Sequence, residues 1–155
     1  MRMICNETDY PSPYLRRIVS WVCRQAEIST KDIKFITFAN TRTYYFSGSA
    51  YRGGLVEIRI GKDPQFPAPP RYQSGSPRWF ETREDALVFI IAHEVYHIRQ
   101  FIVERKKPVK RNPIREHSAD LFAKRTLLEY LKNKQRLVEA WSLGSVTKAA
   151  SSHKD

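Results

Sequence analysis

An apolar run at residues 86–92 leads directly into two histidines and a glutamate, in the segment HEVYH. Thr82 can cap a helix that begins ahead of this run, and Pro108 stops a helix, so the pattern predicts a helix between them. Polar side chains in the middle of a buried helix are strongly unfavourable unless they are paired or bound to a ligand. The rest of the chain must therefore supply partners for this segment, and that requirement restricts the folds that the chain can adopt.

The spacing within HEVYH is that of a metal-binding helix. His93 and His97 are four residues apart, so they lie on one face of a helix and both rings can reach one ion. Glu94 follows the first histidine, where a carboxylate can contact a water on the metal without being a ligand itself. A chance match, or a pair of hydrogen-bonded core histidines, is the other interpretation. Metal binding is favoured because apolar residues surround all three side chains.

A second cluster, EHSAD, offers the third ligand that such a site needs. Asn112 and Pro113 predict that a helix starts just before it. Glu116 and Asp120 are four residues apart on one face, so Glu116 can bind the metal while Asp120 accepts the N–H of a ligand histidine. His117 points about 100° away from Glu116 around a helix, so only one of the two is expected to face the metal. The face shared with Asp120 favours Glu116, and His117 is the alternative ligand.

HEVYH followed by EHSAD resembles the gluzincin zinc metallopeptidases, and the order of elements resembles the compact zincin-like domains of the ImmA/IrrE and SprT-like groups. The resemblance implies one Zn²⁺ per chain, held by His93, His97 and Glu116, with Asp120 supporting a ligand. It also implies hydrolysis of peptide bonds by a zinc-activated water, with Glu94 as the general base.

The same resemblance implies further features around the metal. SprT-like enzymes complete their site with a third histidine, which would be His117 in this chain. Zincin-like folds commonly lay an extended substrate along an edge strand, and GLVEIRIG, residues 54–61, is the candidate for that strand. An oxyanion-stabilising tyrosine or histidine is also usual, and the candidates are Tyr51, Tyr72 and His117.

The remaining patterns predict one α+β domain over residues 1–143. Apolar residues at helical spacing predict a first helix over residues 13–26. Three runs rich in β-branched and aromatic residues, DIKFITFAN, RTYYFSGSAY and GLVEIRIG, predict a small three-stranded sheet, which can be mixed. This sheet would pack on the first helix and on the HEVYH helix, with the helix that carries Glu116 following, in a zincin-like arrangement.

The ends and the middle of the chain differ in composition from the predicted core. The ligand helix is expected to end near Leu131, with a short helix near residues 135–143 and a disordered tail over residues 144–155. Residues 63–79 contain five prolines and a glycine, which predicts a long surface loop.

The net charge of +11 favours anionic partners such as nucleic acid. Six cationic residues cluster between the two predicted site helices: Arg105, Lys106, Lys107, Lys110, Arg111 and Arg115. This cluster can contact phosphates, and a solvated loop is the other interpretation. The alternative functions are therefore a basic nucleic-acid-binding protein with a structural or regulatory zinc site, or a SprT-like protease acting on DNA-attached protein.

The sequence also bears on the compartment. The longest apolar run is far shorter than the roughly 18–20 residues of a membrane span, and the first residues do not resemble a signal peptide. Cys5 and Cys23 lack metal-type spacing, which predicts unpaired thiols in a reducing compartment. The expectation is an intracellular, cytoplasmic protein with no membrane partner, acting on a protein or peptide substrate.

Overall fold

The computed structural model describes residues 2–41, 46–61, 80–103 and 113–150. The fold is α+β, as predicted, with helices packed on one mixed sheet. In chain order the elements are β1 (Arg2–Asn6), α1 (Ser12–Gln25), one turn of 3₁₀ helix (Thr30–Asp32), β2 (Phe35–Thr41), β3 (Ser47–Tyr51), β4 (Leu55–Gly61), α2 (Arg83–Val103) and α3 (Pro113–Ala150).

The sheet has four strands in the order β1-β2-β4-β3. Strand β2 pairs in parallel with both β1 and β4, whereas β3 runs antiparallel to β4. Alternate residues of β4, namely Val56, Ile58 and Ile60, are fully buried. This alternation is the pattern of a strand with one face on the core.

The sheet differs from the sequence prediction in two respects. It has four strands rather than three, because RMICN at the N-terminus forms β1. This segment is only five residues long, and its extended conformation depends on pairing with β2, which lies about thirty residues further along the chain. The predicted edge strand, β4, lies between β2 and β3, so the sheet edge nearest to it is formed by β3.

Helix α1 is amphipathic, as predicted, and its buried face includes Leu15, Ile18, Val22 and Cys23. The thiol of Cys23 is enclosed by this packing, and burial raises its pKa to about 12. Cys5 is partly exposed, and both cysteines are free thiols, in agreement with the sequence prediction.

Helix α2 begins where the sequence predicted. Thr82 Oγ1 accepts a hydrogen bond from the Asp85 backbone N–H at 3.2 Å, and the Asp85 carboxylate accepts one from the Thr82 N–H at 3.0 Å. The helix is long and apolar enough to span a membrane by length and composition. Every residue from Asp85 to Val95 is nevertheless buried inside the protein, so packing in the core accounts for its apolar character.

Helix α3 packs antiparallel to α2. Its first turn meets the end of α2, where Gln100 Nε2 donates to the Arg115 carbonyl at 3.1 Å. Sixteen residues earlier in α2, Glu84 accepts a hydrogen bond from the buried Tyr130 hydroxyl at 2.8 Å and pairs with Lys134. Burial and the Glu84 carboxylate raise the pKa of Tyr130. These contacts fix where each turn of α3 lies along α2.

Helix α3 is longer than the sequence predicted. It continues without a break from Pro113 to Ala150, whereas the sequence predicted an end near Leu131, a separate short helix and a tail from residue 144. Residues 114–143 contain no proline and no glycine, so nothing local interrupts the helix. Residues 151–155 and the predicted proline-rich loop, residues 63–79, lie outside the described residues.

Candidate metal centre

Helices α2 and α3 bring three ligand-type atoms together. His93 and His97 project from one face of α2, and their Nε2 atoms are 3.0 Å apart. Glu116, in the first turn of α3, places Oε2 3.4 Å from His93 Nε2 and 3.6 Å from His97 Nε2. These are the three residues that the sequence predicted as metal ligands, and they form one cluster.

The size of this triangle tests whether a zinc ion fits. Zinc bound at about 2.0–2.1 Å in a tetrahedral site separates its ligand atoms from one another by roughly 3.3–3.4 Å. The three observed separations, 3.0, 3.4 and 3.6 Å, lie on both sides of that value. Two histidine nitrogens and a carboxylate oxygen are also donors that zinc prefers, so the donor set and its geometry fit the ion.

Acceptor oxygens close to the far side of each ring indicate which nitrogen faces the cluster. His93 Nδ1 lies 3.0 Å from Asp120 Oδ1, and a carboxylate can only accept. His97 Nδ1 lies 2.8 Å from Gln100 Oε1, an amide oxygen that also only accepts. The orientation of the amide follows from its nitrogen, which donates to the Arg115 carbonyl. Each Nδ1 therefore carries the hydrogen.

With Nδ1 protonated, each ring in its neutral form directs an Nε2 lone pair towards the Glu116 carboxylate. Three lone-pair-bearing atoms at 3.0–3.6 Å repel one another unless a proton or a cation lies among them. Burial and the neighbouring His93 lower the pKa of His97. Burial also acts to lower the pKa of His93, but Asp120, Glu94 and Glu116 outweigh it and raise that pKa. The arrangement is therefore suited to a metal cation.

Glu94 lies beside the cluster, between α2 and the sheet. Its side chain is 3% exposed and packs against the backbone of Gly48 on β3. A Cβ atom at Gly48 would lie 2.7 Å from Glu94 Oε1, so only glycine leaves room for this carboxylate. Burial raises the pKa of Glu94 to about 7; His93 opposes the shift and Glu116 adds to it. A carboxyl group with this pKa can accept and release protons near neutrality.

Gln100 is a site residue that sequence reasoning missed. It connects three parts of the site, because its amide orients His97 and ties the end of α2 to the first turn of α3. Its position three residues after His97 places the two side chains next to each other on a helix, and this spacing was visible in the sequence.

Replacing Gln100 with alanine is expected to weaken zinc affinity by about 10- to 100-fold, because the ring of His97 loses the acceptor that orients it. Competition with a chromophoric chelator measures the change. Gln135→Ala is the matched control, since Gln135 is exposed on α3 and bonds only to Glu139 in the described structure. Equal affinities for the two variants would show that the amide has no part in holding the metal.

The remaining predicted site residues do not join the cluster in the described structure. His117 is exposed on α3, and Tyr51 is exposed at the end of β3, where its hydroxyl donates to Glu57 Oε2 at 3.4 Å. Tyr72 lies outside the described residues, as do five members of the basic cluster: Arg105, Lys106, Lys107, Lys110 and Arg111. The sixth member, Arg115, is partly buried, and its backbone carbonyl accepts a hydrogen bond from the side-chain amide of Gln100.

No protein-family model, no curated protein and no solved structure matches this chain. The resemblance to gluzincins therefore rests on the two sequence segments HEVYH and EHSAD.

Proposed function

We propose that the protein is a zinc-dependent metallopeptidase that hydrolyses peptide bonds in a protein substrate. The observation that carries this proposal is the convergence of His93, His97 and Glu116 within 3.0–3.6 Å, with the buried carboxylate of Glu94 beside them. Nitrogen and oxygen donors in this number are typical of catalytic zinc sites, which keep one position for water or substrate.

The three ligands leave one side of the site accessible. Glu116 is 46% exposed, whereas the side chains of His93 and His97 are 3% and 12% exposed. A substrate would therefore approach past Glu116 and not through the core. Zinc held there supplies a water of lowered pKa and polarises the scissile carbonyl.

The protein's own residues supply the proton transfers. The buried carboxylate of Glu94 would accept a proton from the attacking water and then deliver it to the nitrogen of the leaving amine as the peptide C–N bond breaks. Asp120 and Gln100 hold the two histidine rings in the tautomer that presents Nε2 to the metal. Glu94 itself is held against the backbone of Gly48.

Strand β3 supports the proposal by its position. It is the last strand in the sheet order and passes directly over Glu94 at Gly48. A peptide that pairs with the open side of an edge strand is held extended, with its backbone carbonyls at a fixed distance from the strand. Pairing along β3 would therefore bring a peptide bond next to Glu94.

The test compares zinc-loaded protein, chelator-treated protein and the Glu94→Gln variant on a panel of unfolded proteins and peptides. Cleavage is expected from the zinc-loaded wild type alone, with zinc content unchanged in Glu94→Gln, because glutamine keeps the shape of the side chain and cannot accept the proton. Equal residual cleavage by wild type and Glu94→Gln on every substrate would refute the proposal.

The net charge of +11 favours a second function, a basic nucleic-acid-binding protein with a structural zinc. This alternative predicts bound zinc, DNA binding that weakens steeply with salt, and no effect of Glu94→Gln on either property. DNA-stimulated cleavage that depends on Glu94 would instead indicate a protease acting on DNA-attached protein.

A further inference from the structure

A cavity of about 340 Å³ lies beside the last turns of α2. Ile98, Phe101 and Ile102 form the apolar part of its lining. Phe101 also stacks on the ring of His97, with centroids 6.5 Å apart, so the cavity adjoins the metal site. A volume of this size is typical of pockets that enclose a small ligand or part of a larger one.

Basic residues are numerous in the lining of this cavity. Lys31, Lys34 and Arg52 line it together with one carboxylate, that of Asp32. Asp32 Oδ2 accepts a hydrogen bond from the backbone N–H of Ser29 at 2.9 Å, which occupies part of its acceptor capacity. Basic residues outnumber the acidic residue in this lining, so the cavity favours a ligand that carries negative charge.

Strand β3 connects the cavity to the proposed catalytic centre. Its residue Gly48 contacts Glu94, and its residue Tyr51 lines the cavity. Three residues of extended strand span about 10 Å. A peptide paired along β3 with its scissile bond beside Glu94 would therefore extend, within about three residues of that bond, to the end of β3 that borders the cavity.

We propose that this cavity selects the substrate by binding an acidic side chain about three residues from the scissile bond. The methylene groups of an aspartate or glutamate would pack on Phe101 and Ile102, and its carboxylate would face Lys31 and Lys34. The inference rests on the proposed peptidase function, since it assigns a specificity to that same site.

The experiment has a cleavage arm and a binding arm. In the first, zinc-loaded protein digests a synthetic library of randomised peptides, and mass spectrometry reads the cleavage sites. In the second, fluorescence anisotropy measures how the Glu94→Gln protein binds a fluorescein-labelled peptide of alternating glutamate and leucine, and its lysine-for-glutamate counterpart. Both arms include Lys34→Glu, which reverses charge at the cavity.

Lys132→Glu is the matched control. It makes the same change in net charge, but Lys132 is exposed on α3 next to Tyr130, at the opposite end of α2 from the cavity. Acidic residues are expected to be enriched about three positions from the cleaved bond. Lys34→Glu is expected to remove this enrichment and to weaken binding of the acidic peptide by about tenfold, whereas Lys132→Glu changes each by less than about twofold.

The two proposals can fail separately. The cavity assignment would be overturned, and the peptidase proposal left intact, by cleavage that depends on Glu94 but shows no acidic preference. The same conclusion would follow if Lys34→Glu and Lys132→Glu affected that cleavage equally. Binding of the acidic peptide that is sensitive to Lys34→Glu, without any Glu94-dependent cleavage, would overturn the peptidase and leave the cavity as an acidic-peptide site. Absence of both effects would overturn both.

Discussion

Replacing Gly48 with alanine is expected to lower peptidase activity by about 10²- to 10⁴-fold, the range attributed to a general acid or base, while the protein keeps its zinc. The added methyl group would occupy the space that the Glu94 carboxylate fills against β3. The side chain of Glu94 must then turn away from the site or push the strand outward, and either change removes the proton acceptor from its position. Steady-state kinetics, zinc content and thermal unfolding together measure the effect.

A double variant makes this prediction sharper. If Gly48→Ala acts by displacing Glu94, then adding Glu94→Gln should cause almost no further loss of activity, since the two changes remove the same interaction. Ser49→Ala is the control on the same strand, because the register places Ser49 opposite Glu57 and not over Glu94. Activity within a few-fold of wild type in Gly48→Ala would show that the observed position of Glu94 is not the catalytic one.

Replacing Glu116 with alanine is expected to weaken zinc binding by on the order of 10²- to 10³-fold, because zinc sites in proteins derive ~10–16 kcal/mol from about four ligands. The same change at His117 should leave zinc affinity unaltered, because His117 is exposed and its neighbour Glu116 faces the two histidines. Elemental mass spectrometry of protein purified without chelator gives the stoichiometry, and chelator competition gives the affinity.

Thermal unfolding provides a second readout for the Glu116 variant. Zinc that binds only the folded protein raises its stability, so a chelator should lower the melting temperature of wild type and of His117→Ala. The chelator should have a smaller effect on Glu116→Ala, because this variant binds zinc more weakly from the start. Loss of zinc from His117→Ala with retention in Glu116→Ala would contradict the site described here and favour a three-histidine site of the SprT-like kind.

Much of the candidate metal centre was predictable because it depends on residue spacing within a helix. The positions of His93 and His97 on one face, and of Glu116 on the face of Asp120, follow from 3.6 residues per turn once each helix is identified. The start of α2 was predictable for a similarly local reason, because the Thr82 hydroxyl accepts a hydrogen bond from the backbone N–H of Asp85, three residues later. The contact between Gln100 and His97 also depends on spacing within one helix, so it could have been predicted from the sequence, but it was not.

Features that depend on contacts between distant segments were not predictable in the same way. Strand β1 owes its conformation to pairing with β2. Strand β4 is central because β2 pairs with it on one side and β3 on the other. Nothing within GLVEIRIG distinguishes an edge strand from a central one, since both can alternate apolar and polar residues.

The sequence by itself determined which side chains share a helix face, where the helices begin, and which residue types are available to bind a metal. Only the tertiary structure decided that Gly48 would lie against Glu94, that Gln100 would tie His97 to α3, and that a basic cavity would form beside the same helix. The physical reason is that a helical period is a property of the local backbone. Contacts between β3, α2 and α3 depend instead on which apolar surfaces pack together. That choice is made by the whole chain, because each surface competes with the others for the same partners.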